Sequence, residues 1–221
     1  MRQLVKRIAY PFLSFWYKQS AKRTRIYREF GLTLHILPSV FHPGLFLSTH
    51  VFIDFLDQVQ LQGRRVLELG AGSGLIAFVA AQKGAITTAT DINPQAIKGL
   101  EENAKRNQIN LNVISSDLFE KVSPMNFDLI FINPPYYAKN PENDLEKAFY
   151  CGEDFNYFKR LFEQLNTCPT DQFPDCYMIL SEDCDFERIS IIARNHRFLL
   201  TERYKKSKLA ELSTIYFLER I

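Results

Sequence analysis

Four polar side chains and three glycines hold most of the chemistry available to this sequence. The densest cluster is Asn133-Pro134-Pro135-Tyr136. Its prolines remove two consecutive backbone donors and fix φ, so the chain runs there as a rigid, extended turn. That turn gathers a carboxamide, two prolyl carbonyls and an aromatic face, a set suited to a flat group bearing an amide or amine. On its own residues the tetrapeptide reads equally well as a proline-rich stop. A second cluster is Glu68-Leu69-Gly70-Ala71-Gly72-Ser73-Gly74. Glycines there let backbone approach a ligand and aim helix N–H groups at it. A dinucleotide fold wants G-x-G-x-x-G, and Leu75 stands where the third glycine belongs; a P-loop wants Gly-Lys-Ser/Thr, which does not follow. A purely structural turn is the remaining alternative. Asp91 is the third feature: an acid at a strand tip can accept hydrogen bonds from both hydroxyls of a ribose, and the adjacent Ile92 can lie on an adenine face.

These groups need elements that bring them to one place. Residues 65–69, 85–90 and 111–114 read as strands, with helices over 75–82 and from Pro94 to about 107 between them. Residues 127–132 are a short apolar run ended by the prolines, the mark of a buried parallel strand. A βαβαβ order predicts a site at the carboxyl edge of the sheet. Glu68, Asp91, Asp117 and Asn133 all fall at that edge. Upstream, 32–37 alternates as a half-buried strand, Val40-Phe41 suits a second short strand, and Ser48-Thr49 can cap a helix carrying Val51, Phe52, Phe55, Leu56 and Val59. Downstream, 137–149 reads as a polar loop and lid, 154–165 and 186–194 as helices, and 176–180 as a fifth strand. Residues 198–204 and 214–218 can form a hairpin, with Lys205-Lys206-Ser207-Lys208 in its loop.

Glu-x-Gly-x-Gly-x-Gly at 68–74 resembles the cofactor loop of class I S-adenosylmethionine-dependent methyltransferases. Asn133-Pro134-Pro135-Tyr136 resembles the Asn/Asp-Pro-Pro-Tyr signature of the N-methyltransferases acting on planar nitrogens: adenine-N6, guanine-N2 and release-factor glutamine enzymes. The resemblance runs through about residues 32–220. It implies a Rossmann-like α/β fold: a seven-stranded, mostly parallel sheet with a C-terminal antiparallel hairpin and helices on both faces. S-adenosyl-L-methionine is the implied cofactor, held by Glu68, Gly70, Gly72, Gly74, Asp91 and Ile92, with Asp117 and Leu118 where the family holds the adenine amino group. Asn133, Pro134 and Tyr136 are the implied catalytic residues: Asn133 and the Pro134 carbonyl accept the two N–H bonds of the target nitrogen, and Tyr136 stacks on the flat group. No metal is required. Two features depart from the glutamine enzymes: Tyr137 follows the motif in place of Ile, and the earlier loop reads His42-Pro43-Gly44-Leu45-Phe46-Leu47-Ser48-Thr49 in place of Pro-Arg-x-Glu-Thr-Glu.

Length and charge frame the rest. A chain of 221 residues with 46% hydrophobic and 24% charged residues suits a soluble globular domain. Residues 1–30 hold eight Lys/Arg and one acid, a net +7 that leaves −5 for the remainder of a +2 chain. This divides the sequence into a basic, aromatic arm over 1–30 and a methyltransferase domain over 31–221. The arm reads as helical or partly so to about residue 29, broken near Pro11; its functional readings are an RNA or DNA contact and a membrane-surface helix, and its plain reading is a packed helix with solvated charges. The apolar patch 9–17 is too short to span a bilayer and no cleavage site follows it. Four cysteines without C-x-x-C spacing point to a reduced, cytoplasmic chain, and no histidine has a partner at metal or triad spacing. An RNA (or DNA) base is the first expected substrate, then a protein glutamine, then a small molecule. A nucleoside-binding module without catalysis is the alternative from another class.

Overall fold

The computed structural model describes residues 21–45, 47–208 and 211–221. Strands β3 (Arg65–Leu69), β4 (Ile86–Asp91), β5 (Leu111–Ser115), β6 (Leu129–Ile132), β7 (Asp175–Ser181), β8 (Phe198–Lys208) and β9 (Glu211–Arg220) form one sheet. Its order is β5-β4-β3-β6-β7-β9-β8. The first five strands of that series run parallel, while β9 is antiparallel to β7 and to β8. The expected seven-stranded sheet with a closing hairpin is therefore the observed one. The chain builds outward from β3 to β5, then returns to place β6 on the other side of β3. That reversal opens a crevice at the carboxyl ends of β3 and β6, where doubly wound sheets take ligands.

The apolar alternation of the strands feeds two cores. Val66, Leu129 and Phe131 face a layer made by α1 (Leu47–Leu56), α2 (Leu75–Gln82) and α3 (Pro94–Asn107). Leu67, Leu69, Ile130 and Ile132 face the opposite layer, with α5 (Asn156–Asn166) and α6 (Phe186–Asn195). A short α4 (Asp144–Lys147) interrupts the connection after β6.

The N-terminal part of the described chain differs from the helical arm expected to residue 29. β1 (Arg25–Glu29) and β2 (Leu32–Ile36) form an antiparallel hairpin in the register Arg25↔Ile36 to Glu29↔Leu32. Phe30 and Gly31 both have positive φ (53 and 72), the geometry of a tight two-residue hairpin turn. β2 docks on α3 through Asn103, whose side chain accepts from the His35 amide (2.8 Å) and donates to its carbonyl (3.1 Å). Residues 1–20 of the proposed arm lie outside the described residues. Val40-Phe41 is not a strand, and α1 begins at Leu47, so Ser48 and Thr49 sit within its first turn rather than capping it. Lys205-Lys206-Ser207-Lys208 belongs to β8 rather than to a loop, because the ladder continues through Lys205↔Thr214, Lys206↔Ser213, Ser207↔Leu212 and Lys208↔Glu211.

Candidate active site

The crevice begins with the glycine turn. Gly70, Gly72 and Gly74 all have positive φ, at 67, 53 and 76. Gly74 is sterically demanded: a Cβ there would lie 2.2 Å from Leu100 Cδ2 and 3.2 Å from Phe78 Cε2. A Cβ on Gly70 would meet nothing within 4 Å, so the space above it is open to a ligand.

Two acids brace this turn. Glu68, 4% exposed, accepts the Ala77 amide at 2.7 Å and so satisfies one of the unpaired donors in the first turn of α2. Burial pushes its carboxyl up to about 8; Asp91 adds to the rise, and the Ala77 hydrogen bond opposes it. Asp91 accepts from Gly72 N at 2.7 Å with one oxygen and from Asn93 N at 2.8 Å with the other. Burial also raises its carboxyl, against the backbone N–H groups of Asn93, Gly72 and Ile92, with Asp144 adding to the rise. The Asp91 carboxyl keeps acceptor capacity for a ligand hydroxyl beside these bonds. Ile92 beside it is 43% exposed.

The third strand tip carries Ser116, Asp117 and Leu118. Leu118 is buried with φ 49, and Ser116 Oγ fastens the turn to the Leu118 carbonyl (3.0 Å) and the Lys121 amide (3.0 Å). Asp117 pairs with Arg160 Nη2 at 2.8 Å, and the same guanidinium reaches Glu120 at 3.1 Å. Tyr157, one turn before Arg160 on α5, lies under the fields of both Asp91 and Asp117; burial first, then those two acids, raise its hydroxyl. Neither Tyr157 nor Arg160 stood out in the sequence, since both sit on an ordinary amphipathic helix.

Asn133 follows β6 directly, across the crevice from the glycine turn, because β6 pairs with β3 in the register Leu69↔Ile132. Its Nδ2 donates to Ser48 Oγ at 3.5 Å, and its Oδ1 has no hydrogen-bond partner among the described residues. Pro134 is buried. Tyr136 is half-buried against the α5–α6 core, 4.8 Å between ring centroids from Tyr137, and burial raises its hydroxyl. The tetrapeptide thus packs on that core through Tyr136 and reaches α1 through Asn133.

The expected lid is an ordered loop. Tyr137 N donates to the Phe149 carbonyl and Cys151 N to the Tyr137 carbonyl, both at 3.0 Å, and Asn143 caps α4 by accepting from Glu146 N at 3.1 Å. Phe149 at its end meets Phe41 at 5.9 Å, and Phe41 lies over Gly72. Segments before and after the core strands therefore meet above the glycine turn. At the neighbouring corner, Ser39 N donates to the Ala21 carbonyl, and the Ser39 carbonyl accepts from Asn93 Nδ2 at 2.9 Å. Among the described residues no group of three or more His, Cys, Asp or Glu is placed to hold a metal, and no helix is long and apolar enough to cross a membrane.

A Methanocaldococcus jannaschii protein with the provisional name protein N5-glutamine methyltransferase is 36% identical over 129 residues, 56% of this chain and 63% of that protein. The chain thus spans less than two thirds of that relative. The crystal structure of a methyltransferase from Pyrococcus furiosus is 21% identical, with a TM-score of 0.61 over 98% of this chain and 100% of that one. The T. thermophilus 16S rRNA N2 G1207 methyltransferase, in complex with AdoMet and guanosine, is 18% identical, with a TM-score of 0.61 over 90% of this chain and 50% of that one. At these identities the two structures show the fold alone. Residues 31–151 match the family model described as the methyltransferase small domain, and with more than half of its length inside that model the chain belongs to the methyltransferase small-domain family.

Proposed function

We propose that the protein is an S-adenosylmethionine-dependent N-methyltransferase acting on a planar nitrogen, with the exocyclic amine of an RNA (or DNA) base as its first substrate class. The observation that carries the chemistry is Asn133. A carboxamide oxygen without a hydrogen-bond partner among the described residues stands at the carboxyl end of β6, beside a glycine turn whose geometry leaves room for a ligand. When bound, the cofactor supplies an electrophilic methyl group on a sulfonium. The glycine turn and the Asp91 lone pairs suit its nucleoside, the exposed face of Ile92 suits its adenine, and Asp117 and Leu118 suit the adenine edge.

Displacement at a methyl carbon asks for alignment more than for an acid or base. The lone pair of an amide or aromatic amine is delocalised, so the nitrogen is a poor nucleophile. Asn133 Oδ1 and the Pro134 carbonyl accept its two N–H bonds, orient it, and stabilise the positive charge that develops there. Such aimed dipoles contribute roughly 2–4 kcal/mol to a transition state. Tyr136 and its neighbour Tyr137 supply the aromatic wall.

Nucleic acid is favoured by the basic composition of residues 1–30, a segment that joins the domain at Ala21, one hydrogen bond from Ser39 and two from Asn93. Protein glutamine is the second reading, favoured by the name of the 36%-identical relative. Transfer from tritiated S-adenosylmethionine into total RNA, DNA and protein fractions separates these readings from each other. Asn133→Ala is expected to cut transfer roughly 100-fold with cofactor affinity unchanged. Retained turnover overturns the assignment, and cofactor binding without transfer to any fraction favours a nucleoside-binding module.

A further inference from the structure

We propose that Ser48 is a positioning residue for methyl transfer, its hydroxyl accepting from Asn133 Nδ2 while the carboxamide oxygen faces the substrate amine. This rests on the reading of Asn133 given above. The two ends of a carboxamide have nearly the same shape and opposite hydrogen-bonding character. An amine N–H needs the oxygen; a half-turn about the last side-chain torsion, which is broad and roughly two-fold, sets donors against donors. With the oxygen taken by the substrate, Nδ2 needs an acceptor, and the Ser48 hydroxyl supplies it.

Among the described residues the sole hydrogen bond to the Asn133 side chain runs from Nδ2 to Ser48 Oγ, at 3.5 Å. Contacts of this kind are often long before substrate binds and tighten in the reacting complex. Ser48 is 5% exposed, so water competes little for its hydroxyl. It is the second residue of α1, and α1 is keyed to the strand that carries Asn133: Phe52 meets Phe131 of β6 at 5.3 Å, and Phe55 meets Tyr177 of β7 at 5.0 Å. The core therefore sets the separation of hydroxyl and carboxamide. It also gives a role to residue 48 of the segment 42–49, one of the two places where the sequence departs from the glutamine enzymes.

The test uses the full chain and tritiated S-adenosylmethionine, with total RNA and, in parallel, a protein extract as acceptors. Ser48→Ala is expected to lower kcat about 3- to 10-fold, the scale of one hydrogen bond, with cofactor Kd and unfolding midpoint unchanged. Ser48→Thr, which keeps the hydroxyl, is expected to restore kcat to within about twofold of the parent. Wild-type kcat in Ser48→Ala, a loss that Ser48→Thr fails to restore, or an equal loss of cofactor affinity overturns the proposal. Asn133→Ala separates the two levels. If it is inactive while Ser48→Ala is fully active, only the role of Ser48 fails; if it is active, the reading of the site fails as well.

Discussion

Replacing Glu68 by Gln tests the electrostatics beneath the glycine turn. Glutamine keeps the shape of the side chain and an oxygen for the Ala77 amide, but it cannot ionise. In the folded chain, burial holds the Glu68 carboxyl near 8, against an ordinary value of 4.5. Below pH 4.5 folded and unfolded chains both carry the proton, and its contribution to stability is fully present. Between 4.5 and about 8 the unfolded chain has released the proton and the folded chain has not, so stability falls as pH rises. The full separation corresponds to about 5 kcal/mol, of which about 3 kcal/mol is already lost at pH 7. Glu68→Gln is therefore expected to be more stable than the parent by about 3 kcal/mol at pH 7 and about 5 kcal/mol at pH 9, narrowing to about 1 kcal/mol at pH 5. Urea unfolding of both proteins at the three pH values measures this. A difference that does not change with pH, or a parent that is the more stable at pH 9, refutes the argument.

Two further substitutions probe the frame around the site. Gly74→Ala puts a Cβ 2.2 Å from Leu100 Cδ2 and an alanine at φ 76; a loss of about 2–4 kcal/mol in chemical denaturation is expected, and parental stability would mean that the turn relaxes freely. Asp128 accepts from Arg65 N at 2.8 Å and Nη2 at 2.6 Å, and the Arg65 hydrogen bonds hold its carboxyl down to about 2. A depressed acid contributes above its ordinary value of 3.8 and loses that contribution as pH falls through about 2. Asp128→Asn should accordingly lower the thermal midpoint at pH 7 and match the parent near pH 2, and a gap that persists in acid would count against the pairing.

β3 and β6 were legible because they are short, apolar and closed by glycine or proline. Asp91 was legible as an acid at a strand tip, and Asn133 because it directly follows β6. Residues 25–29 were not. Arg-Ile-Tyr-Arg-Glu alternates weakly, and its pairing with β2 depends on a turn at Phe30-Gly31 and on side-chain bonds from Asn103 and Asn107 of α3, more than sixty residues away. Ser48 looked like a helix cap by type; its burial toward Asn133 follows from α1 starting one residue earlier, at Leu47. Arg160 and Tyr157 gain a role only once α5 is laid against the tips of β4 and β5, which no local pattern specifies. Glu68 was legible as part of the glycine loop; the reach of its carboxyl to the Ala77 amide of α2 was not.

Strand β9 lies between β7 and β8 although it follows both in sequence. Until residues 211–220 have been made, β8 has nothing to pair with and β7 offers an open edge at the margin of the growing sheet. The half of the sheet that holds the glycine turn, Asp91 and Asp117 has no such dependence, since β3, β4 and β5 pair with one another. Synthesis from the N-terminus thus allows the cofactor side to assemble first, with the tetrapeptide side waiting on the insertion of one late strand. That insertion joins distant parts of the chain, the kind of contact that slows folding, and an unpaired β7 meanwhile can recruit another chain. Premature termination before residue 211 should therefore yield aggregates, not a smaller active domain.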